Sequence, residues 1–495
     1  MSGRETVMSG WETVIGLEVH CELRTATKLF CGCRNSFGQE PNTNICPVCL
    51  GLPGALPVLN RAAVEYAIRI GAALNSTSQA SMFHRKNYFY PDMPKDFQIS
   101  QYDVPINAGG WLTLPTGRRI GIERAHLEED TGKTTHVGGG GRIHEATKSL
   151  VDYNRAGVPL VEIVSAPDMR SAEEARAYVD ELRSILVATG ASDGKMEEGS
   201  LRVDANVSVR VEGAASFGTR CEIKNMNSLR SLGRAIEYEA ARQVQVIEAG
   251  GTVSQETRHW DEGAGRTGSM RSKEEAYDYR YFPEPDLVPV EPSSSWIAEV
   301  KAGLPPMPAS RRARLGEMAG MGADSEAVAT VVRLGLDDLV EAVASAPIAG
   351  GTDDVGEPQV GARANAIAIA VKRAANEVAA DLEGASRLDR PGFARLVGLE
   401  ASGKLTSAQA RTVLRSMLDS GGDPDAIARE LGFEAMDTGD LENIVDAVLA
   451  AHPDEWARLR GGEEKLTGFF VGHIKQASEG KADLKAASSL LRRRR

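Results

Sequence analysis

The ten residues VIGLEVHCEL (14–23) alternate between apolar and polar side chains. Because successive side chains of a β-strand point to opposite faces, this period of two predicts a strand with one face in a hydrophobic core. The residues predicted to face the core are Leu17, Val19, Cys21 and Leu23, and the opposite face presents Glu18, His20 and Glu22.

Two later segments repeat this alternation. RVDANVSVR (202–210) and CEIK (221–224) predict further strands whose polar faces carry Asp204, Asn206, Glu222 and Lys224. Helices are predicted over 61–74, after Asn60 as N-cap, and over 171–190, which begins with the capping box Ser171–Glu174 and stops at Gly190. Helices on a mostly antiparallel sheet define an α+β domain.

The composition excludes several classes of protein. The chain has 495 residues, 42% of them hydrophobic, and a formal net charge of −12. It lacks a run of about 18 apolar residues, so we expect no membrane span. Its first ten residues, MSGRETVMSG, contain no secretory signal. An acidic chain is also unlike a general nucleic-acid coat. We expect a cytoplasmic, soluble protein.

The length predicts roughly three domains. All ten tyrosines lie at or before Tyr281, and FPEPDLVPVEPSSSW (282–296) is rich in Pro and Ser, as linkers are. We therefore expect an α+β domain over 1–295, a helical domain over 296–400 and a small helical tail over 401–495. The polar segment GGTDDVGEPQVGA (350–362) is predicted to be a flexible insertion or linker.

Four cysteines have the spacing of a zinc site. Cys31 and Cys33 are separated by twelve residues from Cys46 and Cys49. Two close thiolate pairs joined by a loop supply the four soft ligands of a closed, structural Zn²⁺ site. The alternative is four unrelated buried thiols.

The polar face of the sheet is a candidate magnesium centre. Besides Glu18, His20, Asp204 and Glu222, HLEED (126–130) adds neighbouring acids, and PLVEIV (159–164) places Glu162 in an apolar run. A carboxylate among apolar neighbours is costly unless it is paired or binds a metal. Mg²⁺ takes oxygen ligands and keeps waters for phosphate. The alternative is a solvated sheet face.

A third candidate site lies in HRKNYFYPDMPKDFQISQYD (84–103), where basic and aromatic residues interleave. This mixture suits nucleotide stacking or phosphate contacts, although a loop that packs its aromatic side chains on the core would have the same composition. The glycine run 138–141 is predicted to be a hairpin tip, since no Walker sequence follows it. The arginines at 492–495 are expected to be a solvated end.

Taken in order, these segments resemble the B subunits of the aspartyl/glutamyl-tRNA amidotransferases (the GatB family). The resemblance covers most of residues 12–287 and returns at KLTGFFVGHIKQASEGKADLKAASSLL (465–491). The matching segments are ETVIGLEVHCEL (12–23), the cysteine pairs, RKNYFYPDMPKDFQISQYD (85–103), RAHLEEDTGK (124–133), LVDYNRAGVPLVEIVSAPD (150–168), KMEEGSLRVDANVSVR (195–210), EIKNMNS (222–228) and DYRYFPEPDL (278–287).

The resemblance implies a cradle-shaped α+β catalytic domain, a helical domain and a YqeY-like tail that binds tRNA. It implies that ATP phosphorylates the side-chain carboxylate of mischarged Glu-tRNA(Gln) or Asp-tRNA(Asn). Ammonia, made from glutamine by the amidase of the complex (the A subunit), then displaces phosphate, and the small C subunit ties the two large ones together. The chain shows no Ser-Ser-Lys amidase residues of its own, so we assign it no glutaminase activity.

Within this resemblance we expect ATP, Mg²⁺ and a structural Zn²⁺ as cofactors. The residue assignments are hypotheses: Mg²⁺ at Glu18, His20, Glu129 and Glu222; supporting acids at Glu162 and Asp204; phosphate-facing lysines at Lys86 and Lys224; nucleotide contacts at Arg85, Lys86 and Tyr88; and tRNA contacts at Lys475, Lys481 and Lys485. Only one of the adjacent acids Glu128 and Glu129 can share a strand face with a given partner, and we assign that place to Glu129. Two other functions stay open: a non-catalytic tRNA-binding scaffold, and a Mg²⁺-dependent phosphohydrolase.

Overall fold

The computed structural model of the chain describes residues 9–138, 146–272, 279–347, 360–433, 438–478, 482 and 484–494. The chain divides into two compact units, Met1–Pro308 and Ala309–Arg495. The predicted hairpin tip at 138–141 and the insertion at 350–362 fall largely outside the described residues.

The first unit is built on β-strands that the sequence connects mainly through loops. In chain order they are β1 (Trp11–Glu22), β2 (Thr77–Ser78), β3 (Met82–Asn87), β4 (Phe97–Val104), β5 (Asn107–Ala108), β6 (Trp111–Thr113), β7 (Arg119–Glu129), β8 (Lys133–Val137), β9 (Lys148–Asp152), β10 (Pro159–Ser165), β11 (Leu201–Val211), β12 (Cys221–Met226), β13 (Glu256–Asp261), β14 (Arg266–Ser272) and β15 (Phe282–Pro283).

Within the described residues, all of these strands but β8 and β9 form one sheet. Its main path runs β14-β13-β12-β11-β1-β10-β7-β4-β3-β15; β5 and β6 pair with β7, and β2 pairs with β5. The described pairs are antiparallel except β12 and β13, which run parallel. Strands β8 and β9 form a separate antiparallel ribbon.

The alternation in β1 determines which face of this sheet packs against the helices. On the apolar face, Leu17, Val19 and Cys21 are almost completely buried. Three helices pack on that face: α1 (Arg61–Ala73), α2 (Ala172–Ala188) and α3 (Leu229–Glu248). The polar side chains of β1 are therefore left on the opposite face, as the period of two predicts.

Local hydrogen bonds explain where two of these helices begin. The side chain of Asn60 accepts a hydrogen bond from the backbone N–H of Ala62, and that of Ser171 accepts one from Glu174. The predicted capping box is only half present, because the Glu174 carboxylate accepts from the backbone N–H of Arg170 instead. Both helix starts are nevertheless confirmed.

The C-terminal part of the chain is helical in the described residues. Its helices are α4 (Ser294–Ala302), which belongs to the first unit, α5 (Pro308–Ala319), α6 (Glu326–Arg333), α7 (Asp337–Ser345), α8 (Val360–Arg373), α9 (Leu382–Ala385), α10 (Arg390–Ala401), α11 (Ser407–Ser420), α12 (Pro424–Glu430), α13 (Thr438–Ala451), α14 (Pro453–Arg460), α15 (Leu466–Ala477) and α16 (Leu484–Arg494). A π-helical turn, Ala374–Val378, follows α8.

Two hydrophobic clusters stabilise the second unit. One extends from Leu315 to Ala428 and the other from Leu441 to Leu491. The predicted α+β class, with a mostly antiparallel sheet followed by helices, is confirmed. The division into domains at 295 and 400 stays a prediction. In the part of the chain that the structure describes, no helix is both long enough and apolar enough to cross a membrane.

Candidate functional site

The polar face of the sheet forms the floor of a cleft of about 1410 Å³. Strands β1, β7, β10, β11 and β12 each contribute charged side chains to it, because all five present the same pleat to the cleft. Those side chains are Glu18, His20, Glu22, Arg124, Glu128, Glu162, Arg202, Asp204, Glu222 and Lys224, and Glu123 of β7 also lines the cleft.

The centre of this floor is a cluster of His20, Glu128 and Glu162. His20 on β1 lies directly opposite Glu162 on β10, and Nε2 of His20 is 3.6 Å from a carboxylate oxygen of each acid. One ligand atom from each of the three lies within 4.8 Å of the others, so they could hold a metal ion. Glu128 is only 4% exposed. The geometry therefore brings together a histidine and two acids that lie far apart in the sequence.

The charges of this cluster perturb one another. Burial disfavours the imidazolium of His20, but the hydrogen bond to Glu162 and the charge of Glu128 outweigh it and raise the pKa of His20 to about 9. Burial also acts on Glu162, yet His20 and His126 lower its pKa below the ordinary value. Burial and the nearby Glu162 raise the pKa of Glu128 to about 7. In the metal-free protein the three groups form a protonated histidine held between two acids.

This arrangement predicts a pH-dependent contribution of His20 to stability. Because the folded-state pKa of about 9 exceeds the ordinary value of 6.5, the stabilisation is complete below pH 6.5 and is lost as the pH rises through about 9. In EDTA, we expect the urea-midpoint difference between the wild-type chain and His20→Gln to shrink between about pH 7 and pH 9.5. A difference that stays constant over this range would contradict the assigned charge state.

A second group of acids lies beside the first. Lys224 Nζ is 2.7 Å from Asp204 and 2.8 Å from Glu222, and the hydroxyl of Thr257 donates to Glu222. Glu18 lies opposite Asp204 in the sheet and accepts a hydrogen bond of 2.9 Å from the Asn206 side chain. The charge of Lys224 is thus already shared by two carboxylates.

Burial raises the pKa of Glu18, and the neighbouring Glu162 and Glu222 act in the same direction. The predicted residues Glu18, His20, Glu162, Asp204, Glu222 and Lys224 therefore share one face of the sheet and line one cleft. Acids outnumber basic side chains on this face, and such a concentration of carboxylates favours the binding of a divalent cation.

Glu129 is the one predicted acid that the structure does not bring into this group. It faces the opposite side of β7, where its carboxylate is 2.5 Å from Lys95 Nζ and accepts a hydrogen bond from the backbone N–H of Ile99. Successive residues of a strand point to opposite faces, so Glu128 takes the place expected for Glu129. The assignment of the metal centre is corrected accordingly.

The residues predicted to contact the nucleotide also point to opposite faces of their strand. Lys86 and Tyr88 line the cleft, and Lys86 Nζ lies 4.8 Å from the centre of the Tyr279 ring. Arg85, the neighbour of Lys86 on β3, points away from the cleft and makes two hydrogen bonds, of 2.7 and 2.8 Å, to the buried carboxylate of Glu284. Arg85 is therefore a structural ion pair, which corrects its assignment as a nucleotide contact.

The sequence reasoning missed Arg124 and His126 on β7. The Arg124 guanidinium lies 4.6 Å from the centre of the Tyr102 ring and 3.7 Å from Glu162, and His126 lies fully buried beside Glu162. Burial lowers the pKa of His126 to about 4. Reading RAHLE (124–128) with a period of two would have grouped Arg124 and His126 with Glu128.

The four cysteines converge beside the sheet, outside the cleft. One sulfur from each of Cys31, Cys33, Cys46 and Cys49 lies within 4.8 Å of the others, and the Sγ atoms of Cys46 and Cys49 are 3.8 Å apart. A tetrahedral Zn²⁺ with Zn–S bonds of about 2.3 Å separates its sulfurs by about 3.8 Å. The donor set and its spacing therefore fit a closed zinc site.

The structure describes two of the three lysines that were predicted to contact tRNA. Lys475 near the end of α15 is exposed. Lys481 lies outside the described residues, and Lys485 belongs to α16. Within the terminal arginine run, Arg494 pairs with Glu442 and Asp446 of α13, so this residue is tied to the helical unit.

Comparison with known proteins connects these sites to one family. The family model described as the GatB/GatE catalytic domain matches residues 13–298, and that described as a GatB domain matches 359–494. Three relatives are named as the B subunit of an aspartyl/glutamyl-tRNA(Asn/Gln) amidotransferase. That of Frankia casuarinae is 49% identical (98% of this chain, 96% of the relative), that of Salinispora arenicola 50% (98% and 97%), and that of Carboxydothermus hydrogenoformans 46% (98% and 99%).

Proposed function

The chain belongs to the family of aspartyl/glutamyl-tRNA(Asn/Gln) amidotransferase B subunits, and from this premise we propose that it catalyses the ATP-dependent amidation of glutamate or aspartate attached to tRNA. The observation that carries the proposal is the cluster of His20, Glu128 and Glu162 on the floor of the cleft, flanked by Glu18, Asp204 and Glu222. All of these residues lie within the part of the chain that matches the catalytic domain of the family.

The chemistry requires activation before amidation. A side-chain carboxylate is a poor acyl donor because oxide would have to leave. In the proposed reaction a carboxylate oxygen bonds to the γ-phosphorus of ATP, and ADP leaves. Ammonia then forms the C–N bond, and phosphate leaves with the electron pair of the broken C–O bond. Positioning and charge stabilisation supply most of the catalysis of such phosphoryl transfers.

We assign Mg²⁺ binding to His20, Glu128 and Glu162, with Glu18 and Glu222 as further oxygen donors from the same face. When bound, Mg²⁺ would offset the charge of the phosphates and orient them. Lys224 then acts on the acids rather than on phosphate, since its ammonium group contacts Asp204 and Glu222. Lys86, which lines the cleft, remains the lysine assigned to phosphate, with Tyr88 beside it for the nucleotide.

The same face of the sheet supplies a base for ammonia. Ammonium must lose a proton before its nitrogen can attack, and a base works best when its pKa lies near the working pH. His20, Glu128 and Glu162 are assigned to Mg²⁺, so the base must be a neighbouring carboxylate of the cleft floor. We propose that an acid of this face that does not bind Mg²⁺ accepts the proton from ammonium delivered by the amidase of the complex.

The remaining assignments follow from the family. We propose that the chain acts in the cytoplasm in a complex with the amidase (the A subunit), which makes ammonia from glutamine, and with the small C subunit. The four cysteines are proposed to hold a structural Zn²⁺. Which of the two mischarged tRNAs is used depends on a difference of one methylene group in the substrate.

The C-terminal helices are proposed to bind tRNA, and their hydrophobic clusters indicate where the chain can be truncated. The hydrophobic cluster of α10 continues to Ala428, so truncation at residue 400 would break it, whereas truncation after Phe433 removes the separate cluster of Leu441–Leu491. We expect the shortened chain to bind tRNA at least about 10-fold more weakly at moderate salt while its ATP hydrolysis at saturating aminoacyl-tRNA is retained. Filter binding measures this, and unchanged affinity would remove the tail from the tRNA interface.

The proposed function is tested by reconstitution with the amidase and the small C subunit. We expect amide formation on the mischarged tRNA to require ATP, Mg²⁺ and this chain together, with one ADP formed for each amide. A non-catalytic scaffold would support no ATP cleavage of its own, and a phosphohydrolase would cleave ATP equally well without aminoacyl-tRNA. Either of these results would overturn the proposal.

A further inference from the structure

Lys28 has a buried ammonium group whose nearest partners are two backbone carbonyl oxygens and a cysteine sulfur. Its side chain is 0% exposed. Its Nζ atom is 3.0 Å from the carbonyl oxygen of Asn44, 3.5 Å from that of Tyr153 and 3.8 Å from Sγ of Cys49. Among the described residues no carboxylate lies within ion-pair distance of it. A buried ammonium is costly without a compensating negative charge, so the cysteine cluster is its natural counter-charge.

A metal bound by the four cysteines would supply this negative charge. A divalent ion bound by four thiolates has a net formal charge of minus two, and second-sphere donors around such a centre tune its affinity. Lys28 Nζ approaches one of the four sulfurs directly. Lys95, the other buried lysine nearby, pairs instead with Glu129 and provides a matched comparison.

Lys28 also joins two segments of backbone. Asn44 belongs to the loop between the two cysteine pairs (34–45, the cysteine loop), and Tyr153 belongs to the turn after β9 (153–157, the cleft turn). The two segments are tied by further hydrogen bonds. The backbone N–H of Asn44 donates to the Asn154 side chain at 2.8 Å, and that side chain donates to the carbonyl of Glu40 at 2.7 Å.

The cleft turn reaches the proposed active site. Asn154 and Arg155 both line the cleft. The guanidinium of Arg155 donates to the carbonyl oxygen of Thr131 at 3.0 Å and lies 3.4 Å from Asp130, whose carboxylate also accepts a hydrogen bond from Arg202. The position of one end of the cleft thus depends on a turn that is fastened to the cysteine loop.

We propose that Lys28 is a positioning residue that couples metal binding at the four cysteines to the cleft turn. Metal binding orders the cysteine loop, the ammonium group of Lys28 bridges loop and turn, and Asn154 and Arg155 are thereby held in the cleft. This inference rests on the proposed zinc site, and it goes beyond a purely local structural role for the metal.

The first test compares Lys28→Met with Lys95→Met in the full-length chain. Both variants remove one buried ammonium and keep a long apolar side chain. We expect Lys28→Met to weaken Zn²⁺ binding by about 10- to 100-fold in a chelator competition, and Lys95→Met to leave the affinity within about 3-fold of wild type. Equal affinity in wild type and Lys28→Met would overturn the role of Lys28.

The second test measures coupling without relying on a lysine variant. Hydrogen exchange is compared between the zinc-loaded and chelator-stripped wild-type chain. We expect removal of zinc to speed exchange in the cleft turn as well as in the cysteine loop, while α3 is unaffected. Faster exchange in the cysteine loop alone would overturn the coupling. A chain that binds no zinc at all would instead overturn the zinc site itself.

A variant of Asn42 distinguishes coupling through Lys28 from coupling through the other hydrogen bonds of the cysteine loop. Asn42 has a φ of 61°, which glycine adopts freely, and its side chain donates to the carbonyl of Val151 and accepts from the N–H of Tyr153. Asn42→Gly therefore removes ties between loop and turn without opposing the backbone. We expect zinc still to slow exchange in the cleft turn of this variant, because the Lys28 bridge and the hydrogen bonds of Asn154 remain. Loss of the zinc effect on the cleft turn in Asn42→Gly would show that the coupling runs through Asn42 and would contradict the role of Lys28.

Discussion

Glu128→Gln is expected to lower ATP-dependent amidation by the reconstituted complex by at least about 100-fold, which is the lower range for loss of a general base or of an electrostatic partner in an active site. The amide keeps the shape of the side chain but removes the charge beside His20 and an oxygen donor of the proposed metal centre. Amide formation on mischarged tRNA is the measurement, and glutaminase activity of the same complex should remain largely intact.

The adjacent acid supplies the matched control. Glu129→Gln leaves Lys95 without its carboxylate partner, so the free energy of unfolding should fall by about 3 kcal/mol. Amidation per folded molecule should remain within a few-fold of wild type, because Glu129 lies outside the cleft. The opposite ranking, with Glu129→Gln inactive and Glu128→Gln active, would favour the assignment that the sequence suggests and refute the one that the structure supports.

The second large effect is expected at the cysteines. Cys46→Ser/Cys49→Ser should lose its zinc completely, from about one ion per chain, because two of four ligands are removed from a closed tetrahedral site. Structural zinc supplies about 10–16 kcal/mol of apparent binding energy in small zinc-finger peptides. Here the separate sheet core of the first unit persists, so we expect local loss of order in the cysteine loop, read by elemental analysis and limited proteolysis.

The other two cysteines provide the control for this result. Cys21 and Cys221 are buried in β1 and β12, apart from the cluster. Cys21→Ala and Cys221→Ala should therefore keep the full zinc content. Stoichiometric zinc in the Cys46→Ser/Cys49→Ser protein would refute the site, and loss of zinc from either single variant would show that the ligand set is different.

The features that depend on short sequence patterns could be predicted. The period of two in VIGLEVHCEL places Glu18 and His20 on the face that lines the cleft, and the cysteine spacing anticipates the cluster. Local patterns could not show which strands are neighbours. The register that sets His20 opposite Glu162 joins segments about 140 residues apart, so it depends on the three-dimensional order of strands.

The errors at Glu129 and Arg85 have one physical origin. In each case two adjacent residues of a strand were candidates, and a strand sends adjacent side chains to opposite faces. For β7, the apolar residues Ala125 and Leu127 identify the core face, so Glu128 belongs with Arg124 and His126. The buried partner that holds Arg85, Glu284, lies about 200 residues away and gave no local signal.

The central claim is that the side-chain carboxylate of the tRNA-bound amino acid is phosphorylated before it is amidated. Glu-tRNA(Gln) or Asp-tRNA(Asn) labelled with ¹⁸O in that carboxylate, incubated with the reconstituted complex, ATP and glutamine, tests it most directly. We predict one ¹⁸O atom in each molecule of phosphate released per amide formed, read by mass spectrometry. Amide formation that releases phosphate without ¹⁸O would contradict the mechanism.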